Sequence, residues 1–288
     1  MADATVYTAG WTLEDIPWDR FDRARTDAGM IAAIKAASLV EYNAPAYVSY
    51  LARVFGGADQ TIADFERWGQ EEAQHGRALG RWAEMADPSW NFDQAFARFH
   101  SGYRAPHFQS DETISVRGSR RGEMIARCVV ESGTSSYYSA IRDATDEPVL
   151  KEIAGRIAAD EFRHYRLFFD TLHAQAEPEL PFWRRLAVAL GRINESDDDE
   201  LAYAFYCANV TPEEETAKPY VRSVYTKASL ARTAQIYRRH HIRKLVQMVA
   251  KAVGAKPQGR ATELAAALMW RVLQFRAGLT SHNAEAST

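Results

Sequence analysis

The chain has only two cysteines, Cys128 and Cys207, too few for a disulfide framework or a four-cysteine metal or electron-transfer site. Any metal must then be held by carboxylates and imidazoles. No window approaches 18 uninterrupted apolar residues, and the opening MADATVYTAGWTLEDIPWDRF lacks a basic stretch followed by an apolar one. The expectation is a soluble, unprocessed, cytoplasmic protein with no membrane insertion. A net charge of -3 gives no strong field of either sign, so no nucleic-acid partner is expected. Strand signals are weak throughout. What is present suits a packed core: 288 residues, 47% hydrophobic and 25% charged, read as one all-α domain over residues 1-288.

Helical spacing of apolar residues runs from about Asp22 to Phe55 and stops at Gly56-Gly57, after which Asp59 or Thr61 can cap a second helix reaching about Ala86. Asp87-Pro88-Ser89 ends it. Phe92 to Tyr103 predicts a short helix, Arg104 to Glu112 a loop, and regular structure resumes near Ser115. A third long helix ends around Asp143 to Pro148, and a fourth runs to about Ala176, where Glu177-Pro178-Glu179-Leu180-Pro181 stops it. Residues 22-176 are therefore read as a four-helix bundle core. Over residues 177-279, further helices are expected at Phe182 to Ile193, Asp198 to Ala208, Val221 to Val253 and Arg260 to Ala277, with Thr280 to Thr288 frayed.

Two Glu-x-x-His motifs, Glu72 with His75 and Glu161 with His164, lie in these segments, each preceded by a helix carrying a lone glutamate, Glu41 or Glu131. One such motif among eight histidines would mean little; two in matched hairpins mean more. Glu41 lies 15 residues before Gly56 and Glu72 lies 15 after Gly57. At 1.5 Å per residue both stand about 22 Å from one turn, so they face each other in an antiparallel hairpin. Glu131 and Glu161 repeat the spacing, 30 residues apart against 31, and the 56 residues from His75 to Glu131 allow a long crossover of the ferritin-like kind. Within each motif the side chains at i and i+3 share a helix face. Four carboxylates and two imidazoles are the ligand set of a carboxylate-bridged pair of iron ions, with manganese also compatible. Without cations the cluster would repel itself.

The words around these residues resemble the soluble acyl-(acyl carrier protein) desaturases over roughly residues 35 to 175. Ile157-Ala158-Ala159-Asp160-Glu161-Phe162-Arg163-His164 is similar to that family's fourth-helix motif, and Glu71-Glu72-Ala73-Gln74-His75-Gly76 to its second. Glu41 followed by Pro45 and Tyr47 resembles the first, and Glu131-Ser132-Gly133-Thr134 keeps a threonine three residues after the ligand. The resemblance implies that Glu41 and His75 are terminal ligands to one iron, Glu131 and His164 to the other, with Glu72 and Glu161 bridging. It further implies that the reduced cluster activates O2 and removes hydrogens from an acyl chain on acyl carrier protein. Electrons would come from a ferredoxin-like donor, and a homodimer is expected. Thr134 is then either a residue for hydrogen bonding or proton relay at the cluster or a helix-packing threonine. Asp160 is expected to orient the Nδ1 side of a ligating imidazole. The chain is shorter than the family pattern and has no plastid targeting segment, which points to a compact relative and leaves the substrate open; the alternative readings are a di-iron hydroxylase or oxygenase of another small molecule and a ferritin- or rubrerythrin-like protein for iron oxidation or peroxide reduction.

Other residues carry less. Glu71 reads as a solvated helix residue, and Asp170 with His173 as a surface pair. Gly133, Ser135 and Ser136 leave room either for a chain-like substrate or for close helix packing. Arg238, Arg239, His240, His241, Arg243 and Lys244 form a basic run, either a solvated face or a landing surface for an acidic carrier protein; Arg184 and Arg185 beside Trp183 are a weaker candidate. His240 and His241 lack carboxylate mates in the sequence. Trp11, Trp18 and Trp68 suit either electron transfer or aromatic core packing, the commoner use, and none is given a site role.

Overall fold

The computed structural model describes residues 10–103, 113–194 and 199–285, and among these the chain is all helical. Three short 3-10 turns precede α1 (Ala28–Tyr42) and α2 (Ala44–Val54). Then come α3 (Asp59–Ala86), α4 (Phe92–Gly102), α5 (Arg120–Ala144) and α6 (Pro148–Ala174). The chain continues through α7 (Phe182–Asn194), α8 (Asp199–Asn209), α9 (Arg222–Ile236), α10 (Arg239–Ala252) and α11 (Arg260–Glu285). The loop expected over Arg104 to Glu112 lies outside the described residues, as do the last three residues of the expected frayed end. That end is helical through Glu285.

Local chemistry sets the ends of the long helices. Asp27 accepts the Met30 amide at the start of α1, and Ser119 accepts that of Gly122 at the start of α5. Glu147 accepts the amides of Val149 and Leu150, with Pro148 in the first turn of α6.

Other boundaries differ from expectation as well, the first at Ala28, where α1 begins after a 3-10 turn rather than at Asp22. The helix predicted from Asp22 to Phe55 breaks at Asn43, because Pro45 has no amide to donate to the Glu41 carbonyl and its ring crowds that carbonyl. The third helix begins at Arg120 rather than Ser115, since Gly118 takes a positive φ of 80° just before the Ser119 cap. The helix expected over Val221 to Val253 is two, α9 and α10, separated at the extended residues Tyr237 and Arg238.

Contacts fix the direction of each helix. Lys35 pairs with Asp87 while Val48 meets Gly69, so α1–α2 run antiparallel to α3. Ser135 bonds the Ala158 carbonyl and Arg142 lies against Gly155, so α5 and α6 are antiparallel. Tyr138 reaches Glu41 and Tyr50 reaches Glu123, which sets α5 antiparallel to α1–α2. Two antiparallel relations make α3 and α5 parallel. A short turn cannot join parallel helices, and the segment between α3 and α5, in which α4 lies, makes the crossover.

Two apolar layers flank a polar layer inside the bundle, and a third apolar cluster, with Leu39, Phe99 and Phe205, joins α1, α4 and α8. One layer holds Ile34, Leu79, Trp82, Ile141 and Ile153; the other holds Leu51, Phe55, Phe65, Met124 and Phe168. Of the later helices, α7 and α10 pack on α5, α8 packs on α1 and α4, and α11 packs on α9 and α10. No described helix is long and apolar enough to cross a membrane.

Candidate metal centre

Between the two apolar layers, α1, α3, α5 and α6 bring Glu41, Glu72, His75, Glu131, Glu161 and His164 together, all buried. Gly76 lets α1 and α3 approach at this level: a Cβ there would stand 2.7 Å from the Tyr42 amide nitrogen and 2.8 Å from the Ser38 carbonyl. The residues form two overlapping groups, Glu41, Glu72, His75, Glu161 and Glu72, Glu131, Glu161, His164. In each group one ligand atom per residue lies within 4.8 Å of the others.

Glu72 and Glu161 are shared, and each divides its oxygens. Glu72 turns Oε2 to His75 Nδ1 at 3.6 Å and Oε1 to His164 Nδ1 at 3.0 Å. Glu161 turns Oε1 to His75 Nδ1 at 3.2 Å and Oε2 to His164 Nδ1 at 3.9 Å. Glu41 stands 3.9 Å from His75 Nδ1, and Glu131 stands 3.8 Å from His164 Nδ1. The four glutamates and two histidines predicted from register therefore meet at one place.

Both imidazoles are turned by carboxylates on the opposite helix. His75 Nε2 donates to Asp160 Oδ2 at 3.0 Å, and His164 Nε2 donates to Glu71 Oε2 at 2.8 Å. A carboxylate accepts, so each Nε2 carries a proton and Nδ1 is the nitrogen that faces the cluster. Asp160 thus orients an imidazole as expected, but it holds Nε2 rather than Nδ1, and the ring belongs to α3. Glu71 is corrected: it is buried and holds His164, whereas a solvated side chain was expected. The missed signal was the symmetry of the motifs, since each bridging-type glutamate follows an acid, Glu71-Glu72 and Asp160-Glu161.

The donors fit a pair of hard or borderline cations. His75 Nδ1, His164 Nδ1, both Glu131 oxygens and Glu161 Oε1 are buried without a hydrogen-bond partner, all pointing into the same layer. Burial, then the charge of Glu72, raises the Glu41 carboxyl well above its usual range; burial and the charges of Glu161 and Glu72 do the same for Glu131. Burial opposes the charged form of His75 and His164, but the surrounding carboxylates outweigh it and raise both. Cations would take the place of those protons.

Thr134 donates to Glu161 Oε2 at 2.6 Å and is only half-buried. A Cβ at neighbouring Gly133 would meet nothing within 4 Å, whereas Ser135 and Ser136 are used in helix contacts to the Ala158 and His241 carbonyls. Trp11 donates from its indole to Asp160 Oδ2 at 2.8 Å and stacks on His75. Trp68 packs on Phe168, and Trp18 lies under Arg81. Asp170 and His173 are exposed.

His240 and His241 do find a carboxylate mate: Asp143 lies 3.4 Å from His240 Nε2 and 3.0 Å from His241 Nε2. The pairing joins residues 98 positions apart, which no local spacing reveals. His241 Nδ1 accepts the Arg238 amide, so its Nε2 carries the proton donated to Asp143. That nitrogen has no lone pair for a metal. The basic run borders a cleft of about 520 Å³ between α5, α6 and α10. Arg243 there is held by Glu263, and Lys244 sits over the Phe162 ring.

No protein-family model matches this chain, and no curated protein matches it.

Proposed function

We propose that the chain is a di-metal carboxylate protein of the ferritin-like class, with iron in both positions and manganese as the other cation its donors suit. The observation that carries this reading is the overlap of two buried carboxylate–histidine groups through Glu72 and Glu161, with both Nδ1 atoms turned inward. Glu41 and His75 would hold one ion, Glu131 and His164 the other. The order α1, α3, crossover, α5, α6 accords with ferritin-like connectivity.

Within that class we propose an O2-dependent oxidoreductase that desaturates an acyl chain carried on acyl carrier protein. When bound and reduced, the metal pair would give electrons to O2 and so make of it an oxidant strong enough for an unactivated C–H bond. The protein's own groups do the rest. Asp160 and Glu71 hold the imidazoles in one tautomer, and the apolar layers exclude water. The half-exposed Thr134 hydroxyl can pass a proton toward Glu161 Oε2. Trp11, Asp160 and His75 form a continuous hydrogen-bonded line along which a ferredoxin-like donor can deliver electrons. The basic α10 face would meet the acidic carrier.

Iron-loaded protein incubated with a ferredoxin, its reductase, O2 and a panel of acyl-carrier-protein thioesters tests this by product mass. Loss of two hydrogens supports the desaturase. Gain of one oxygen replaces it with a hydroxylase on the same scaffold. Unchanged thioesters with O2 or peroxide still consumed would leave a ferritin-like iron oxidase or peroxidase.

A further inference from the structure

Asp160 and Glu71 orient histidines of different half-sites, yet both are bound to one arginine. Arg163 gives Nη1 to Asp160 Oδ1 and Nη2 to Glu71 Oε2, the latter at 3.2 Å. The two carboxylates are buried at 2% and 6% exposure, so each needs a compensating cation, and this guanidinium is the cation they share. Arg163 itself is 30% exposed and lines a small pocket together with Trp68, Glu71 and His164. It closes a chain of hydrogen bonds that runs His75, Asp160, Arg163, Glu71, His164 along the outside of the candidate metal layer.

We propose that Arg163 is a positioning residue that couples the two half-sites, so that filling one prepares the other. The inference rests on the di-metal reading and deepens it. An ion on His75 Nδ1 fixes that ring, the ring fixes Asp160, and Asp160 fixes the guanidinium. The guanidinium then holds Glu71 where His164 needs it. The same chain runs in reverse. A planar fork with two parallel donors can span two carboxylates at once, whereas the single ammonium of lysine can serve one well. Carboxylates behind metal-bound histidines typically govern affinity by 10- to 100-fold. A residue holding both of them should therefore act on both ions together.

The test is anaerobic titration of the metal-free chain with Co(II), read by visible absorption and by metal stoichiometry, with circular dichroism confirming that each variant is folded. The wild type is expected to take up two ions in one steep, cooperative step. Asp160→Asn and Glu71→Gln should each weaken a single ion. Arg163→Gln should weaken both by about 10- to 100-fold and separate their uptake into two non-cooperative steps, and Arg163→Lys should recover affinity at one half-site more than at the other. Wild-type midpoints and cooperativity in Arg163→Gln would overturn the coupling while leaving the di-metal reading intact. Failure of the folded wild type to bind Co(II) would overturn both.

Discussion

Tyr138 donates to Glu41 Oε1 at 2.5 Å across the α1–α5 contact, while Glu131, the corresponding glutamate of the second hairpin, has no hydrogen-bond partner on either oxygen. The two half-sites therefore differ despite their matched sequences. Glu41 keeps one oxygen engaged by a buried phenol, and Glu131 can turn both oxygens to an ion. Tyr138→Phe should destabilise the metal-free protein by roughly 1–3 kcal/mol, the range for losing a hydrogen bond to a buried carboxyl. Urea unfolding of the two proteins measures it, and equal midpoints would show that the bond contributes nothing to stability.

Removal of metal should cost stability, because the inward carboxylates then face one another across a dry layer. Each ion present at 100 times its dissociation constant adds about 2.7 kcal/mol. Calorimetry should therefore show a higher unfolding temperature with Fe(II) or Mn(II) and a lower one after chelation. Glu161→Gln, which alters a residue common to both groups, should abolish most of that rise.

Thr134→Val keeps the shape of the side chain and removes the hydroxyl that bonds Glu161 Oε2. Metal content should be unchanged while turnover falls by about 100-fold or more, with Thr134→Ser restoring most of it. Turnover at the wild-type rate in the valine variant would confine Thr134 to packing.

Trp11→Phe retains the ring over His75 and loses the indole bond to Asp160. Stopped-flow reduction by a ferredoxin should slow several-fold at constant metal content. An unchanged rate would place electron delivery elsewhere.

Lys35 and Ser89 hold the Asp87 carboxyl down to about 2. A carboxyl depressed on folding adds stability that is present above its unfolded value near 4 and is lost as pH falls through about 2. The side chain is a third exposed, so screening keeps the contribution below about 1 kcal/mol. Unfolding of Asp87→Asn against the wild type should show a small deficit at pH 6 that shrinks toward zero as the pH falls through about 2. A gap unchanged between these two pH values would mean that packing, and not charge, is responsible.

The helical segments and the six convergent residues could be read from the chain because both depend on local periodicity. A Glu-x-x-His pair shares a helix face whatever surrounds it, and equal distances from a turn set equal heights in a hairpin. The break at Asn43 was visible in principle, since Pro45 stood in the sequence, but the apolar pattern on both sides concealed it. The junction of α9 and α10 carries no such breaker, since Tyr237 and Arg238 are extended with neither proline nor glycine beside them.

Residue order alone thus determined the all-helical character, the register of Glu41 with Glu72 and of Glu131 with Glu161, and the exclusion of thiolate ligation. Only the tertiary structure decided which helices run parallel, that Glu71 is buried against His164, that Tyr138 caps Glu41, and that Arg163 joins Asp160 to Glu71. These are contacts between residues up to 97 positions apart, made through side-chain reach and burial. Helical periodicity says which face a residue occupies, but the neighbour across that face is set by how the helices pack.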